Sequence, residues 1–451
     1  MSALQQYINL YHDASELVCE RAVDVLNMAR PEAERQFCAF VDSTAKLEDY
    51  KYTDYKTLLA PDYGLNLRRL SFSSASKYKK PSCSIAQMDS VVVQMENDVP
   101  YISSEDLARL PKGVFVGSFS EAAIQVPQIL ENYYGKFAEK HSDPLTSLNT
   151  LFVQEGLLIF VPSGCKIDRP LQVISTTHSN QPLMCHQRLL VILEDGASLT
   201  LLHCDETAAT VDTLTTQVGE IVVGRESELQ MFLLEETGVQ HTRFHQVYLQ
   251  QDKDSSVEWF DLTLQNGYTR NTLRGCFVGE NASLATYGVA LASGKQRVDN
   301  NLLVRHEVSN CRSTMLYKYV LDDQSVGAFA GKVYVAQGTV KNESEQTNAN
   351  LCAGNDARAY SQPMLEIYAD DVQCSHGSTV GKLDEAALFY MQQRGIPLAE
   401  ARLMLQHAFV GEVLEHIPIE ALRQRLSILT DLRLRGKREK CQGCKAVDAC
   451  Y

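Results

Sequence analysis

RLLVILEDGASLTLLH, residues 188–203, reads as a strand, a polar break and a second strand. Each apolar run is strand-sized, and the break gathers small and polar residues suited to a turn. The same arrangement returns as GRESEL at 224–229, DKDSSV at 252–257, GENASL at 279–284 and VSNCRS at 308–313. Taking Gly196, Glu226, Asp254, Asn281 and Asn310 as corresponding positions gives separations of 30, 28, 27 and 29 residues. A steady period made only of strands points to a solenoid whose every turn contains two or more of them. An ordinary β-sandwich also repeats its turn signals, every ~8–12 residues. The periodicity favours the solenoid over it.

The strand pattern begins at about Leu151 and holds almost nothing suited to a crossover helix. Val257, Trp259, Leu262 and Leu264 suggest the alternation of a half-buried strand. Upstream the chain reads mainly as helix. QQYINLYHDASELVCERAVDVLNMA spaces Ile8, Tyr11, Leu17, Val18, Ala22, Val25 and Leu26 three and four apart, and Pro31 reads as the first residue of a second helix. KLEDYKYTDYKTLL and FSSASKYKKPSCS read as irregular and exposed, and LPKGVFVGSFSEAAIQ as a short extended piece entering a helix. After Gly381 the pattern is helical again: Gly395 terminates one helix, while Pro397 and Pro418 open two more. Leu398, Ala401, Leu405, Ala408, Val413 and Leu414 form a wide apolar face, suited to capping the solenoid end or to receiving a partner. The expected organisation is an N-terminal mainly helical domain at 1–125, a β-helix core at 126–380, a C-terminal helical domain at 381–435 and a flexible cysteine-bearing tail at 436–451.

Composition narrows the function. An apolar share of 45% and a charged share of 22% are those of a globular protein. A net charge of −14 disfavours nucleic acid and anionic membranes, both of which need a basic surface. No run is long enough for a membrane span, and no secretory leader is recognisable, so a cytoplasmic protein with reduced thiols is expected. Phosphate loops of the GxxxxGK[ST] and GxGxxG types, GxSxG and HExxH are all absent. The scattered strand histidines read as hydrogen-bonded or surface residues. Asp322–Asp323 and Asp370–Asp371 could serve a β-helical carbohydrate-active lyase or hydrolase; paired aspartates are more often turn formers. Cys441, Cys444 and Cys450 form the densest thiol group, either exposed thiols or a transient metal or sulfur site.

EIYADDVQCSHGSTVG, residues 366–381, carries the remaining chemistry. Cys374 and His376 occupy alternate positions, so a strand would aim both at one face, where a thiolate and an imidazole can hold iron. Two ligands do not complete an iron site, and on spacing alone a structural corner is the better reading.

These residues also carry a resemblance. LEI at 365–367, DDV at 370–372, CSHG at 374–377, TVG at 379–381, LDE at 383–385, LFY at 388–390 and RGI at 394–396 together resemble the SufB/SufD family of scaffold subunits of the SUF iron–sulfur cluster assembly system, in its SufD form. KYTD at 51–54, residues 147–164, RLLVILEDGAS at 188–198, residues 306–323 and GAFAGKVYV at 327–335 extend the likeness, with residues 147–164 looking like the family's first strands. Tyr50 and Ser378 depart from it, standing where tryptophan and alanine are common.

The resemblance implies a right-handed parallel β-helix flanked by N- and C-terminal helical domains. It implies a non-catalytic scaffold that pairs with a SufB-like paralogue, while each scaffold subunit holds a SufC-like ATPase. No permanent cofactor is implied, only transient iron or a nascent cluster shared with SufB. His376, and with it Cys374, is implied as the ligand at that interface. The helical region around 398–417, including Leu398, Ala401, Leu405, Ala408, Phe409 and Val413, is implied as the SufC dock. A self-paired homodimer remains open.

Overall fold

The structure is a computed structural model describing residues 4–43, 47–65, 67, 88–138, 141–207 and 209–436. FSSASKYKKPSCS and the cysteine-bearing tail from residue 437 lie outside the described residues. The N-terminal part runs through α1 (Gln5–Glu20), α2 (Asp24–Asp42), a 3₁₀ turn (Glu48–Tyr50), α3 (Tyr55–Leu58), β1 (Gly64–Leu65), β2 (Val91–Glu96) and β3 (Val99–Ile102). There follow α4 (Ser104–Leu107), β4 (Phe115–Ser118), α5 (Phe119–Gln125), α6 (Pro127–Tyr133) and α7 (Pro144–Phe152). The solenoid strands are β5 (Leu157–Val161), β6 (Leu171–Thr177), β7 (Leu183–Leu193), β8 (Ser198–Thr207), β9 (Thr213–Val223), β10 (Glu228–Glu236), β11 (His241–Gln251) and β12 (Ser256–Gln265). They continue as β13 (Tyr268–Phe277), β14 (Ser283–Ala292), β15 (Arg297–His306), β16 (Arg312–Leu321), β17 (Val326–Val335), β18 (Asn342–Cys352), β19 (Arg358–Ile367) and β20 (Val372–Gly381). Three helices, α8 (Glu385–Gln393), α9 (Leu398–Leu414) and α10 (Glu420–Leu434), close the described chain.

From β5 onward the odd strands stack in parallel as one sheet and the even strands as the other, giving a β-solenoid of about seven turns. The five corresponding positions read from the sequence all prove to be left-handed: φ is 71° at Gly196, 54° at Glu226, 58° at Asp254, 61° at Asn281 and 62° at Asn310. Glycine and asparagine enter that region at low cost. The left-handed N–H points along the solenoid. Gly196 N–H donates to Arg225 C=O (2.7 Å), Glu226 to Lys253 (2.9 Å), Asp254 to Glu280 (2.9 Å) and Asn310 to Val340 (3.0 Å). Each acceptor immediately precedes the left-handed residue of the next turn, so one corner stacks in strict register.

Leu201, Met231, Trp259, Val247, Leu273, Phe329 and Val333 fill the space between the two sheets. Parallel sheets need cover on their outer faces too. The helices α1, α2 and α7 cover the odd sheet through Met184, Leu214 and Phe244. On the even sheet, α9 and α10 cover Phe232, Phe260, Leu262 and Val289. The half-buried alternation expected of β12 is therefore replaced by burial on both faces: Trp259 faces the interior, and Phe260, Leu262 and Leu264 face the C-terminal helices. For the same reason the apolar face of α9 covers the flank of the even sheet, not the solenoid end.

Three other expectations change. The helical run is interrupted at residues 21–23, and Pro31 lies inside α2 rather than at its start. The lost bond to Asn27 C=O is tolerated because Leu26, Ala29, Ala33 and Phe37 hold the helix by packing. Residues 147–152 are helix, since Pro144 opens α7 and Asp143 caps it by accepting from the N–H groups of Leu145 and Thr146. The KLEDYKYTDYKTLL stretch is pinned to the odd sheet: Tyr50, Thr53, Tyr55 and Leu59 are buried. Thr53 bonds Asp299, Arg270 donates to Asp49 C=O, and Tyr50 OH donates to Asp143 at 2.7 Å. No helix among the described residues is long and apolar enough to cross a membrane.

Much of the interior is polar. Arg243 pairs with Asp205 at 2.9 Å and Glu235 at 3.5 Å, all three almost fully enclosed. Burial holds His186 and His241 down to about 3 and His306 to about 4. Unfolded, each returns to about 6.5. Their uncharged burial costs nothing above that pH; as pH falls, only the unfolded state takes up the protons. Stability should therefore fall from about pH 6.5 toward pH 4, by up to about 1.4 kcal/mol per pH unit for each histidine. Thermal melts from pH 7.5 to 5 should show a steepening decline. At the corner, Asn281→Val should cost about 1–2 kcal/mol through its left-handed backbone, whereas Asn281→Gly should be near neutral. Paired melting curves of the two variants measure that difference.

Candidate functional site

The solenoid ends at β19 and β20, the last strands of their sheets. The bend at Asp370–Asp371 is the final corner, where Asp371 C=O accepts the Lys341 N–H at 2.6 Å. Asp322–Asp323 likewise forms a turn: Asp323 has φ of 52° and its carboxylate accepts the Gly294 N–H at 2.9 Å. Both aspartate pairs build corners, which removes the observation that suggested a carbohydrate-active groove.

Cys374 stands in register with Ser344, and His376 with Gln346. Both side chains share the face that, in the preceding turns, points into the solenoid. Cys374 is half-buried against the core and His376 is exposed. Burial pushes the Cys374 thiol up, and the Ser344 backbone N–H partly offsets this.

The columns behind these residues explain their setting. The third residue after each corner runs Leu199, Leu229, Val257, Leu284, Ser313, Ser344, Cys374. It is apolar for four turns, then carries a hydroxyl for two, then a thiol. The Ser313 and Ser344 hydroxyls bond at 2.8 Å, and Ser313 also meets His306 Nε2 at 2.9 Å. These three side chains are almost fully buried. A buried hydrogen-bonded file thus leads to the strand next to Cys374. In the neighbouring column Gln346 donates from Nε2 to Met364 C=O at 3.2 Å, while its Oε1 has no partner.

Two of the other strand histidines are hydrogen-bonded within their sheet. His186 bonds Thr216 at 2.7 Å and His241 bonds Thr213 at 2.8 Å. Neither ring nitrogen of His203 has a hydrogen-bond partner; Nε2 lies 3.6 Å from Asp205. Among the described residues no three His, Cys, Asp or Glu side chains are grouped to hold a metal ion. Cys374 and His376 by themselves offer two donor side chains, fewer than a closed metal site needs. The nine described cysteines are unbridged.

The second candidate surface is on the C-terminal helices. Of the six residues expected there, Ala401 and Val413 are buried and Phe409 packs on the even sheet beneath Lys318. Leu398 and Ala408 are exposed and Leu405 is half-buried. The outer side is an open groove of about 490 Å³ lined by Leu403, Met404, His407, Ala408, Ile428 and Leu432. Sequence reasoning missed Met404 and Ile428, since α9 is apolar on both sides and only α10 reveals which side is outward. It also missed Ser313 and Ser344, although their fixed offset from the corner positions was a usable signal.

Carbethoxylation at pH 7 should modify His376 in the native chain and reach His186, His241 and His306 only after unfolding; peptide mass spectrometry reads the order.

Comparison with known proteins bears on this geometry. Residues 174–409 match the SufBD core domain of SUF system FeS cluster assembly, and residues 1–173 match the SufBD protein N-terminal region. An iron–sulfur cluster assembly SufBD family protein of Synechocystis is 25% identical over 389 residues, covering 84% of each chain. The iron–sulfur cluster assembly protein SufD of Escherichia coli is 37% identical over 158 residues, 35% of this chain and 37% of that one. SufD of Bacillus subtilis is 24% identical over 318 residues, 70% of this chain and 72% of its own length.

Proposed function

The chain belongs to the SufBD family of iron–sulfur cluster assembly proteins, and from that premise we propose that it is the SufD-type, non-catalytic scaffold subunit of a cytoplasmic complex with a SufB-like paralogue and a SufC-like ATPase. The observation that carries this reading is the open terminal strand bearing Cys374 and His376 on one face, with no third His, Cys, Asp or Glu grouped with them among the described residues. A paralogous solenoid pairing along β19 and β20 would satisfy their unpaired backbone groups. It would bring its own side chains against Cys374 and His376.

Iron and the growing cluster are cargo here. His376 offers an exposed imidazole lone pair, and Cys374, once deprotonated, a thiolate. Two donors from one chain and the rest from its neighbour make a site that exists only in the pair and opens when the pair moves. The apolar groove between α9 and α10 fits an inserted helix or side-chain wedge of the ATPase, by helix-in-groove logic. The contacts that fasten this layer to the solenoid would carry its motion inward. Phe232, Phe260, Tyr287 and His416 stack in series at 4.6, 5.0 and 4.3 Å. Lys318 pairs with Glu412 and Arg433 with Glu236.

Anaerobic co-expression with the SufB- and SufC-like proteins, followed by size-exclusion chromatography with mass determination, should yield a particle containing all three. A chain that stays alone or only pairs with itself sinks the assembly role. Within the particle, His376→Ala should leave assembly intact and lower cluster yield, read from the visible absorption and acid-labile sulfide; full yield removes His376 from the mechanism. Met404→Glu and Ile428→Glu should each release the ATPase while leaving the paralogue bound and the melting temperature of the free chain unchanged.

A further inference from the structure

The terminal turn is the least supported part of the solenoid. Among the described residues β19 and β20 each have a strand on one side only, and most of their residues are exposed or half-exposed. Strand ends of this kind fray at low cost. A bond across the two sheets, Ser378 to Ser361 at 2.7 Å, ties β20 to β19. Outside the solenoid, one segment far away in sequence reaches β19. Tyr52 stacks on Tyr360 with ring centroids 5.0 Å apart and planes 20° apart, and its hydroxyl donates to Gln362 Oε1 at 3.3 Å. Lys51 Nζ lies 3.5 Å from the same oxygen and 5.1 Å from the Tyr52 ring centre.

This segment is itself held firmly. Thr53 is bonded to Asp299 and accepts from Tyr268 OH at 2.9 Å. Arg270 packs over the Tyr50 ring and donates to Asp49 C=O, while Arg274 pairs with the Asp49 carboxylate at 3.1 Å. Residues 49–53 therefore form a strap fixed at β15 and β13, two and three strands inward from the end, whose free tip is Lys51–Tyr52. The strap crosses the outer face of the odd sheet and ends on the last strand.

We propose that the face which pairs with the second solenoid is composite: the Lys51–Tyr52 tip belongs to it, clasping β19 so that the terminal edge is ordered before the partner arrives. This rests on the edge-pairing reading given above. An ordered edge binds more tightly because less conformational freedom is lost on association. The partner it fits is the exposed end strand of another solenoid chain, which meets the Tyr52–Tyr360 stack beside the strand hydrogen bonds.

Hydrogen–deuterium exchange on the full-length chain tests the clasp without any partner. Tyr52→Ala should speed exchange of the amides of residues 358–367 by about tenfold or more, with those of β15 unchanged; Tyr52→Phe, which keeps the ring, should retain most of the protection. Unchanged exchange in Tyr52→Ala overturns the clasp. In parallel, affinity for the SufB-like paralogue should fall about tenfold in Tyr52→Ala and little in Tyr52→Phe. Faster exchange with unaltered affinity overturns the composite face. A wild-type chain that binds no paralogue refutes both edge pairing and the composite face, while the exchange data still decide whether the clasp exists.

Discussion

The hydrogen bond from a left-handed corner residue to the carbonyl before the next corner, made at Gly196, Glu226, Asp254 and Asn310, is the constraint on which the molecule depends. It is short, repeated and in register, so it fixes where the even strands that follow these corners start. Side-chain direction in a strand alternates with a period of two. A slip of one residue at a corner would therefore exchange the interior with the helix-covered faces. Because the corners hold, residues about 30 positions apart stack in columns, and the column that ends at Cys374 is continuous from Leu199.

Inside and around that frame the chain buries an unusual number of charges, and their positions show what they do. Arg188 and Glu220, both about 1% exposed, meet at 3.1 Å, and the carboxylate also accepts the N–H groups of Gly135, Phe137 and Ala138. Arg30 donates to the C=O groups of Thr150, Leu151 and Val153 at the end of α7. Such pairs add little net stability against an apolar alternative, but breaking one is expensive. Here they fasten irregular segments to regular sheets. The backbone groups those segments leave over find partners, and the N-terminal layer settles in one position.

The sequence made the solenoid legible because its corners demand small or polar residues at fixed separation, a signal that local chemistry alone produces. The helical flanks were legible for the same local reason. Residues 49–53 were not, because their partners, Asp299 and Arg270, are more than two hundred positions away and no local pattern encodes such a contact. Trp259 and Phe260 show another limit: adjacent large apolar residues blur alternation when both faces of a strand are covered. For the site, the CSHG stretch suggested two side chains on one face, and the register agrees with that. What spacing left open was the emptiness of that face, which follows from β20 being the last strand and cannot be read from its own residues.

Protein solenoids usually close both ends, and this one closes only the first. There, β3 and β4 turn antiparallel across the opening strands, whereas no further strand among the described residues pairs with the far end. The fold is thus complete in its packing and incomplete in its backbone hydrogen bonding. Such an edge is a template for another strand, and a second copy of this chain presents the same one. The concentration of the chain then becomes a structural variable, set outside the molecule and felt at ten residues of its last strand.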